Sequence, residues 1–287
     1  PLQAPGVDVR EGDIIVAVNG RNSAETRDFS DLLRNQAGQQ VLLEVRRGNA
    51  AVRRVIVTPV DARQQAALRY NDWEQTRKET VEKASNGKLG YLHLRAMGAG
   101  DMASFVREFY AQYERDGLII DVRRNNGGNI DSWVIEKLLR RVWAFWAPPG
   151  VTPYGNMQQA FRGHLVVLTD ALTYSDGETF AAGVQALKLG PLIGTRTSGA
   201  GVWLSDRNTL ADEGIARVAE NAQFGVDGSW LVEGVGVQPD IEVDNPPHAT
   251  FKGEDKQLET AINYLRQKLA SEPIKPLKAG AIPPLKP

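Results

Sequence analysis

Ser175 stands in the stretch LVVLTDALTYSDGETFAAG, residues 165–183, where an apolar run gives way to a helical pattern. A hydroxyl at such a junction lies beside unpaired backbone N–H groups and the positive end of a helix dipole. A nucleophile placed there could attack a carbonyl, and the resulting oxyanion would find donors close by. The same residues, Ser175-Asp176-Gly177-Glu178, also spell S-x-x-E, the capping box that merely starts a helix. A second candidate is Gly127-Gly128, at the end of DVRRNNGG. Paired glycines after a buried strand permit positive φ and leave N–H groups facing a cleft, or else form an ordinary tight turn.

The elements that must hold these residues alternate strand and helix. Leu165 to Thr169 has the length and branching of a buried strand, and Gly177 to Leu187 places Phe180, Val184 and Leu187 at helical spacing. GLIIDVR, from Gly117, is a continuous apolar strand of the kind covered on both faces. GYLHLRAM is another strand, Asp101 to Arg115 a helix, Ile135 to Val142 a helix, and PLIGTRT (residues 191–197) a strand. Residues 202–232 read as hairpins, and Leu258, Ile262, Leu265 and Leu269 line a last helix. Open sheets of this type place ligands outside the carboxyl ends of their strands, which is where the Gly pair and Ser175 both fall.

Four segments follow from this pattern. Residues 1–61 are β-rich, with turns at Glu11-Gly12-Asp13 and Asn19-Gly20, a short helix carrying Phe29, Leu32 and Leu33 on one face, and a hairpin around Gly48-Asn49. Residues 62–87 form a polar helical connection, 88–270 the α/β unit, and 271–287 a Pro-rich tail without apolar patterning. The first residue, Pro1, is not an initiator methionine, and the chain reads as a fragment of a longer polypeptide.

Composition narrows the classes. Among 287 residues, 42% are apolar and the net charge is −1, which gives no electrostatic reason to invoke nucleic acid or a membrane surface. No apolar run approaches the roughly 20 residues of a membrane span. Cysteine is absent, which excludes disulfides, a thiolate nucleophile and Cys-ligated zinc. Zero cysteines fit the cytoplasm and other compartments alike; the expectation is a cytoplasmic location, with no metal or organic cofactor implied.

EGDIIVAVNG followed by a helix and two strands resembles the later part of a PDZ domain. The ordered set that follows, GYLHL, GLIIDVRRNNGG, LVVLTDALTYSDGETFAAG, LIGTRTSGAG and VEGVGVQPDIEV, resembles the tricorn branch of the family that includes the C-terminal processing peptidases. The resemblance covers nearly all of residues 1–270. It implies a mixed α/β fold: a crotonase- or ClpP-like catalytic domain preceded by a PDZ-like unit incomplete at its N-terminus.

Carried over by motif, the resemblance makes Ser175 the nucleophile and the backbone N–H groups of Gly128 and Asp176 the oxyanion donors, with Gly127 beside them on the substrate side. Glu233, in VEGVGVQPD, matches the acidic group that supports the base. The base itself has no match. His93, His164 and His248 all read as structural, and the family's tricorn branch takes its histidine, preceded by a serine, from a segment upstream of the PDZ domain. The processing peptidases use a lysine instead, and its position here is Ala200. Trp146 occupies the place of an acidic residue that selects basic P1 side chains, so an apolar P1 pocket is expected; Trp143 and Trp146 also read as packing or interface aromatics.

The expected activity is that of a serine endopeptidase acting on peptides or unfolded polypeptides, as a homo-oligomer, with the present chain inactive by itself. Two other readings stay open. One is a non-catalytic peptide-binding scaffold; the other is a crotonase-type acyl-CoA enzyme, against which Ser175 counts.

Overall fold

The computed structural model describes residues 1–281; the last six residues of the expected Pro-rich tail lie outside the described residues. The chain divides into two compact units, Pro1–Gln75 and Thr76–Pro287.

The first unit is an antiparallel sheet of β1 (Ile14–Val18), β2 (Arg21–Asn22), β3 (Val41–Arg46) and β4 (Arg53–Val57), ordered β2-β1-β3-β4. Val41, Leu43 and Val45 alternate inward along β3 and meet Val18, Val55 and Val57, as expected of a sheet with one wet face. The expected short helix forms as a 3₁₀ segment, Phe29–Leu33. It buries Leu32 alone and leaves Phe29 exposed, because five residues at three per turn present only a narrow stripe. Helix α1 (Ala62–Ser85) follows and crosses the boundary between the units.

The second unit is built on five parallel strands: β5 (Leu89–His93), β6 (Gly117–Asp121), β9 (His164–Thr169), β10 (Leu192–Gly194) and β13 (Ile241–Glu242), ordered β13-β10-β9-β6-β5. Between them lie α2 (Ala99–Tyr110), α3 (Asp131–Leu139), the hairpin β7 (Phe145–Trp146) and β8 (Tyr154–Gly155), and α4 (Asp176–Ala186). The hairpin pair β11 (Trp203–Leu204) and β12 (Ala219–Asn221), the short α5 (Pro247–Phe251) and α6 (Lys256–Ser271) complete it. Mixed α/β architecture with a parallel sheet is thus the observed class.

Both sheet faces are covered, which explains the unbroken apolar strands. Leu118, Ile120, Leu165 and Val167 pack under Phe105, Phe109, Val134, Phe180 and Val184. The alternate residues Ile119, Val166 and Leu168 meet Val81 and Leu258, Ala261, Ile262 and Leu265 of α6. Among the described residues, no helix is long and apolar enough to cross a membrane.

Two helices begin earlier than their apolar spacing predicts. The Asp101 carboxylate accepts from the N–H groups of Ala96 (3.2 Å) and Gly98 (3.1 Å), which lets α2 start at Ala99. Helix α3 starts at Asp131, not Ile135, because the carboxylate of Asp176 takes the N–H groups of Ile130 (2.7 Å) and Asp131 (3.1 Å). A cap supplied from another helix leaves no mark in the local sequence.

Where β6 ends, Arg123 is buried and bonds Asp121 (2.6 Å), Asp255 (2.8 Å) and Gln257 (3.0 Å). Asp121 also accepts the Tyr91 hydroxyl at 2.8 Å. The network ties the strand that leads into Gly127 to the N-cap of α6, where Asp255 bonds the Leu258 N–H. Burial pushes the Asp255 carboxyl up, but the Arg123 guanidinium overrides it and holds the group down at about 2. Its contribution to stability is therefore complete above pH ~4 and is lost as pH falls toward 2. Arg123→Met, which leaves buried Asp121 without its guanidinium while Asp255 keeps Arg77 at 2.8 Å, is expected to cost about 3–5 kcal/mol in chemical unfolding. A loss below ~1 kcal/mol would show that the network does not hold β6 to α6.

Candidate active site

Strand β9 ends at Thr169, and a tight turn delivers Ser175 to the start of α4. Thr173 stabilises that turn, donating its hydroxyl to the Val122 carbonyl at 2.9 Å. Ser175 has φ 54° and ψ −120°, a backbone conformation that a residue with a side chain adopts only at a cost of roughly 1–3 kcal/mol. A strained strand-to-helix turn of this type lifts a nucleophile's oxygen clear of its own helix. The hydrogen bonds agree: the Glu178 N–H donates to the Ser175 carbonyl at 2.8 Å, and the Ser175 hydroxyl makes no cap hydrogen bond. Half of the expected capping box is present all the same, since Glu178 accepts the Ser175 N–H at 3.1 Å.

The Gly-rich loop lies against this turn. Gly127 has φ +77°, and a Cβ built on it would stand 2.5 Å from Ser175 Cβ, 2.9 Å from its Oγ and 3.2 Å from the Asp176 nitrogen. Only glycine permits so close an approach. Gly128, at φ +153°, passes so close to the Met97 carbonyl that a Cβ would meet it at 2.0 Å. Buried Asn125 sets the loop, accepting the Gly127 N–H at 2.8 Å and donating to the Leu94 carbonyl at 2.8 Å, while its own carbonyl takes the Tyr174 N–H at 2.9 Å. The backbone N–H groups of Gly128 and Asp176 donate no hydrogen bond among the described residues. The structure therefore brings Gly127, Ser175 and Asp176 together, beside two uncommitted amides.

The Asp176 side chain has a separate task. Its capture of the Ile130 and Asp131 N–H groups fastens the segment after Gly128 to the start of α4. Burial, with the Asp131 carboxyl alongside, pushes the Asp176 carboxyl up to about 6. A pKa raised from 3.8 means that folding favours the protonated form, so this stabilisation is full below pH ~4 and lost as pH rises through about 6. Asp176→Asn, neutral throughout, is expected to exceed the parent in stability near pH ~8 and to match it near pH ~4. Urea unfolding of both proteins at the two pH values checks this; a difference independent of pH would contradict it.

Glu233 is exposed, and its Oε2 accepts from the N–H groups of Gly201 (2.9 Å) and Val202 (2.8 Å). The neighbouring amides of Gly199 and Ala200 bond to Glu178, at 2.6 and 2.9 Å, so Glu233 is linked to the Ser175 turn through this short segment. Two contributors were not singled out from sequence. Asn125 gave no signal beyond its place before the glycines, and Glu178 was visible only as a helix-capping residue.

Two of the three histidines hold backbone carbonyls. His93 Nδ1 pairs with the Asp121 carbonyl at 2.8 Å in the buried network. His164 sits at the opening residue of β9, the end away from Ser175, with Nε2 at 2.8 Å from the Glu272 carbonyl. His248 is in α5. Trp146 is exposed in the β7–β8 hairpin, paired with Tyr154, and its neighbour Phe145 stacks beneath the Arg162 guanidinium at 5.1 Å. Arg162 also precedes β9, so these contacts place the hairpin at the opposite end of that strand from Ser175. No group of three or more potential metal ligands exists among the described residues.

Residues 88–243, slightly more than half of the chain, match the profile of peptidase family S41. The chain belongs to peptidase family S41. Residues 1–62 match the tricorn protease PDZ domain. The S41 chain is 38% identical over 277 residues to tricorn protease homolog 1 of Streptomyces coelicolor, covering 96% of this chain and 26% of that protein. It is 30% identical over 265 residues to the tricorn protease of Thermoplasma volcanium, covering 92% of this chain and 26% of that one. The crystal structure of the tricorn protease matches with a TM-score of 0.82 at 30% identity, over 90% of this chain and 25% of that chain. This S41 member is thus tricorn-like and spans about a quarter of the length of the relatives it matches.

Proposed function

We propose that this chain carries the nucleophile, oxyanion donors and supporting acid of a serine endopeptidase that cleaves peptides or unfolded polypeptides through an acyl-enzyme. The observation that carries the proposal is the close approach of Gly127 to the Ser175 turn. A Cβ on the glycine would stand 2.5 Å from Ser175 Cβ, 2.9 Å from its hydroxyl oxygen and 3.2 Å from the Asp176 nitrogen, so that the Gly-rich loop, the hydroxyl and an uncommitted amide meet at one place. Ser175 Oγ attacks the scissile carbonyl, and the Gly128 and Asp176 N–H groups take the charge that develops on its oxygen. The proton from the hydroxyl passes to a base and on to the leaving amine; water then releases the acyl group.

The base comes from a histidine in the segment that precedes residue 1, held by Glu233, and the chain alone is inactive. The surroundings of the histidines support this, as His93 and His164 are held by the Asp121 and Glu272 carbonyls and His248 is exposed on α5. We further assign the activity to the cytoplasm and to a homo-oligomer, with exposed Trp203, Phe224 and Trp230 available for contacts between copies.

The test joins the chain to its preceding segment and treats it with a fluorophosphonate and with fluorescein-labelled casein. Casein hydrolysis and a single phosphonylated residue, Ser175, are expected. Absence of both, with casein still bound, would favour the scaffold reading.

A further inference from the structure

Glu178 does far more than cap a helix. Its carboxyl group is fully buried on α4, and among the described residues no lysine or arginine pairs with it. Four donors surround it instead. Oε1 accepts the Thr197 hydroxyl (2.5 Å) and the Gly199 N–H (2.6 Å); Oε2 accepts the Ser175 N–H (3.1 Å) and the Ala200 N–H (2.9 Å). Thr197 is oriented in turn, because its Oγ1 accepts the Val237 N–H at 2.7 Å and so must donate to Glu178. A cap accounts for one of these four bonds. The other three fasten the segment 197–200 to the turn that bears Ser175.

That segment continues directly into the contacts of Glu233. Four successive amides are shared between two carboxylates, Gly199 and Ala200 with buried Glu178, Gly201 and Val202 with exposed Glu233. Glu233 is also fixed from its own side. Val232 has φ +66°, a conformation that a β-branched residue adopts only under strain, and a tight turn runs from the Glu233 N–H to the Leu231 carbonyl at 2.7 Å. The Val232 side chain is buried against Gly201, where a Cβ would come within 2.9 Å of Val232 Cβ. Strain of this kind persists where surrounding packing determines the backbone, and it collects at functional sites.

We infer that Glu178 is a positioning residue: its carboxylate sets the Ser175 turn and the segment holding Glu233 in one fixed geometry. The inference rests on the roles proposed above for Ser175 and Glu233. Every partner of Glu178 is a donor, so an acceptor-only group is required there. Glu178→Gln keeps the shape but turns an NH₂ toward one pair of donors, and one side of the joint must open. Misplacement by about 1 Å costs on the order of 10²-fold in rate.

The experiment uses the chain with its preceding segment and a fluorogenic peptide that it cleaves. Glu178→Gln is expected to lower kcat by about 10²-fold with KM changed by less than ~3-fold. Thr197→Val, which removes one donor, should lower kcat by roughly 10-fold, and Thr197→Ser, which restores the hydroxyl, should recover it. Parental kcat in folded Glu178→Gln would overturn the inference. If that variant does not fold, equal kcat in Thr197→Val and Thr197→Ser overturns it instead. Ser175→Ala separates the two levels: an inactive Ser175→Ala beside a fully active Glu178→Gln removes the joint and leaves the nucleophile, whereas an active Ser175→Ala removes the proposed function itself.

Discussion

Ser175→Ala, in the chain joined to its preceding segment, is expected to abolish peptide hydrolysis, by at least about 10³-fold in kcat, with little change in KM or stability. The hydroxyl has no structural bond to lose, since the helix N–H that could have capped on it bonds the Ser175 carbonyl instead. Alanine relieves none of the strain at φ 54°, because it too carries a Cβ. Stability should therefore shift by well under ~1 kcal/mol, the range of an uncommitted side chain. Peptide hydrolysis and thermal unfolding on the same samples check both halves. Retained hydrolysis, or a large fall in stability with it, would mean that the hydroxyl serves the fold.

Gly127→Ala should be almost as severe by a different route. The added methyl lies 2.9 Å from Ser175 Oγ and 3.2 Å from the Asp176 nitrogen, and so displaces the hydroxyl and the amide that must act together. It also collides with Ser175 Cβ at 2.5 Å and imposes a side chain on φ +77°. Loss of one oxyanion donor costs about 10²–10³-fold in kcat, and displacing Ser175 and the Asp176 amide from their places should cost no less. Fluorophosphonate labelling of Ser175 should slow in parallel, because it needs the same hydroxyl and amide in place. Circular dichroism separates this from unfolding. A folded Gly127→Ala that is labelled at the parental rate would place the reacting oxygen elsewhere.

Much of this arrangement was written locally. The strands 117–121 and 164–169 announced themselves as apolar runs because both of their faces are covered, and the Gly pair and Ser175 fell at their carboxyl ends as the sheet requires. The PDZ-like repeat of turns and alternating strands was equally plain, apart from the helix at Phe29–Leu33 that buries only Leu32. What sequence could not show was made across the chain. Helix α3 begins where the Asp176 carboxylate, 45 residues away, captures the Asp131 N–H. The four bonds of Glu178 reach as far as Ala200, so local reading saw only the cap. The motif S-x-x-E reads as either a helix start or a nucleophile turn; in the structure Glu178 caps Ser175 through its backbone N–H and leaves the hydroxyl uncommitted.

The most direct measurement is the structure of the chain, with its preceding segment, after reaction with a peptide boronate. The boron should be bonded to Ser175 Oγ, with one boronate oxygen at roughly 2.7–3.1 Å from the nitrogens of both Gly128 and Asp176. A boronate on another residue, or an oxygen that meets neither amide, would contradict the site proposed here.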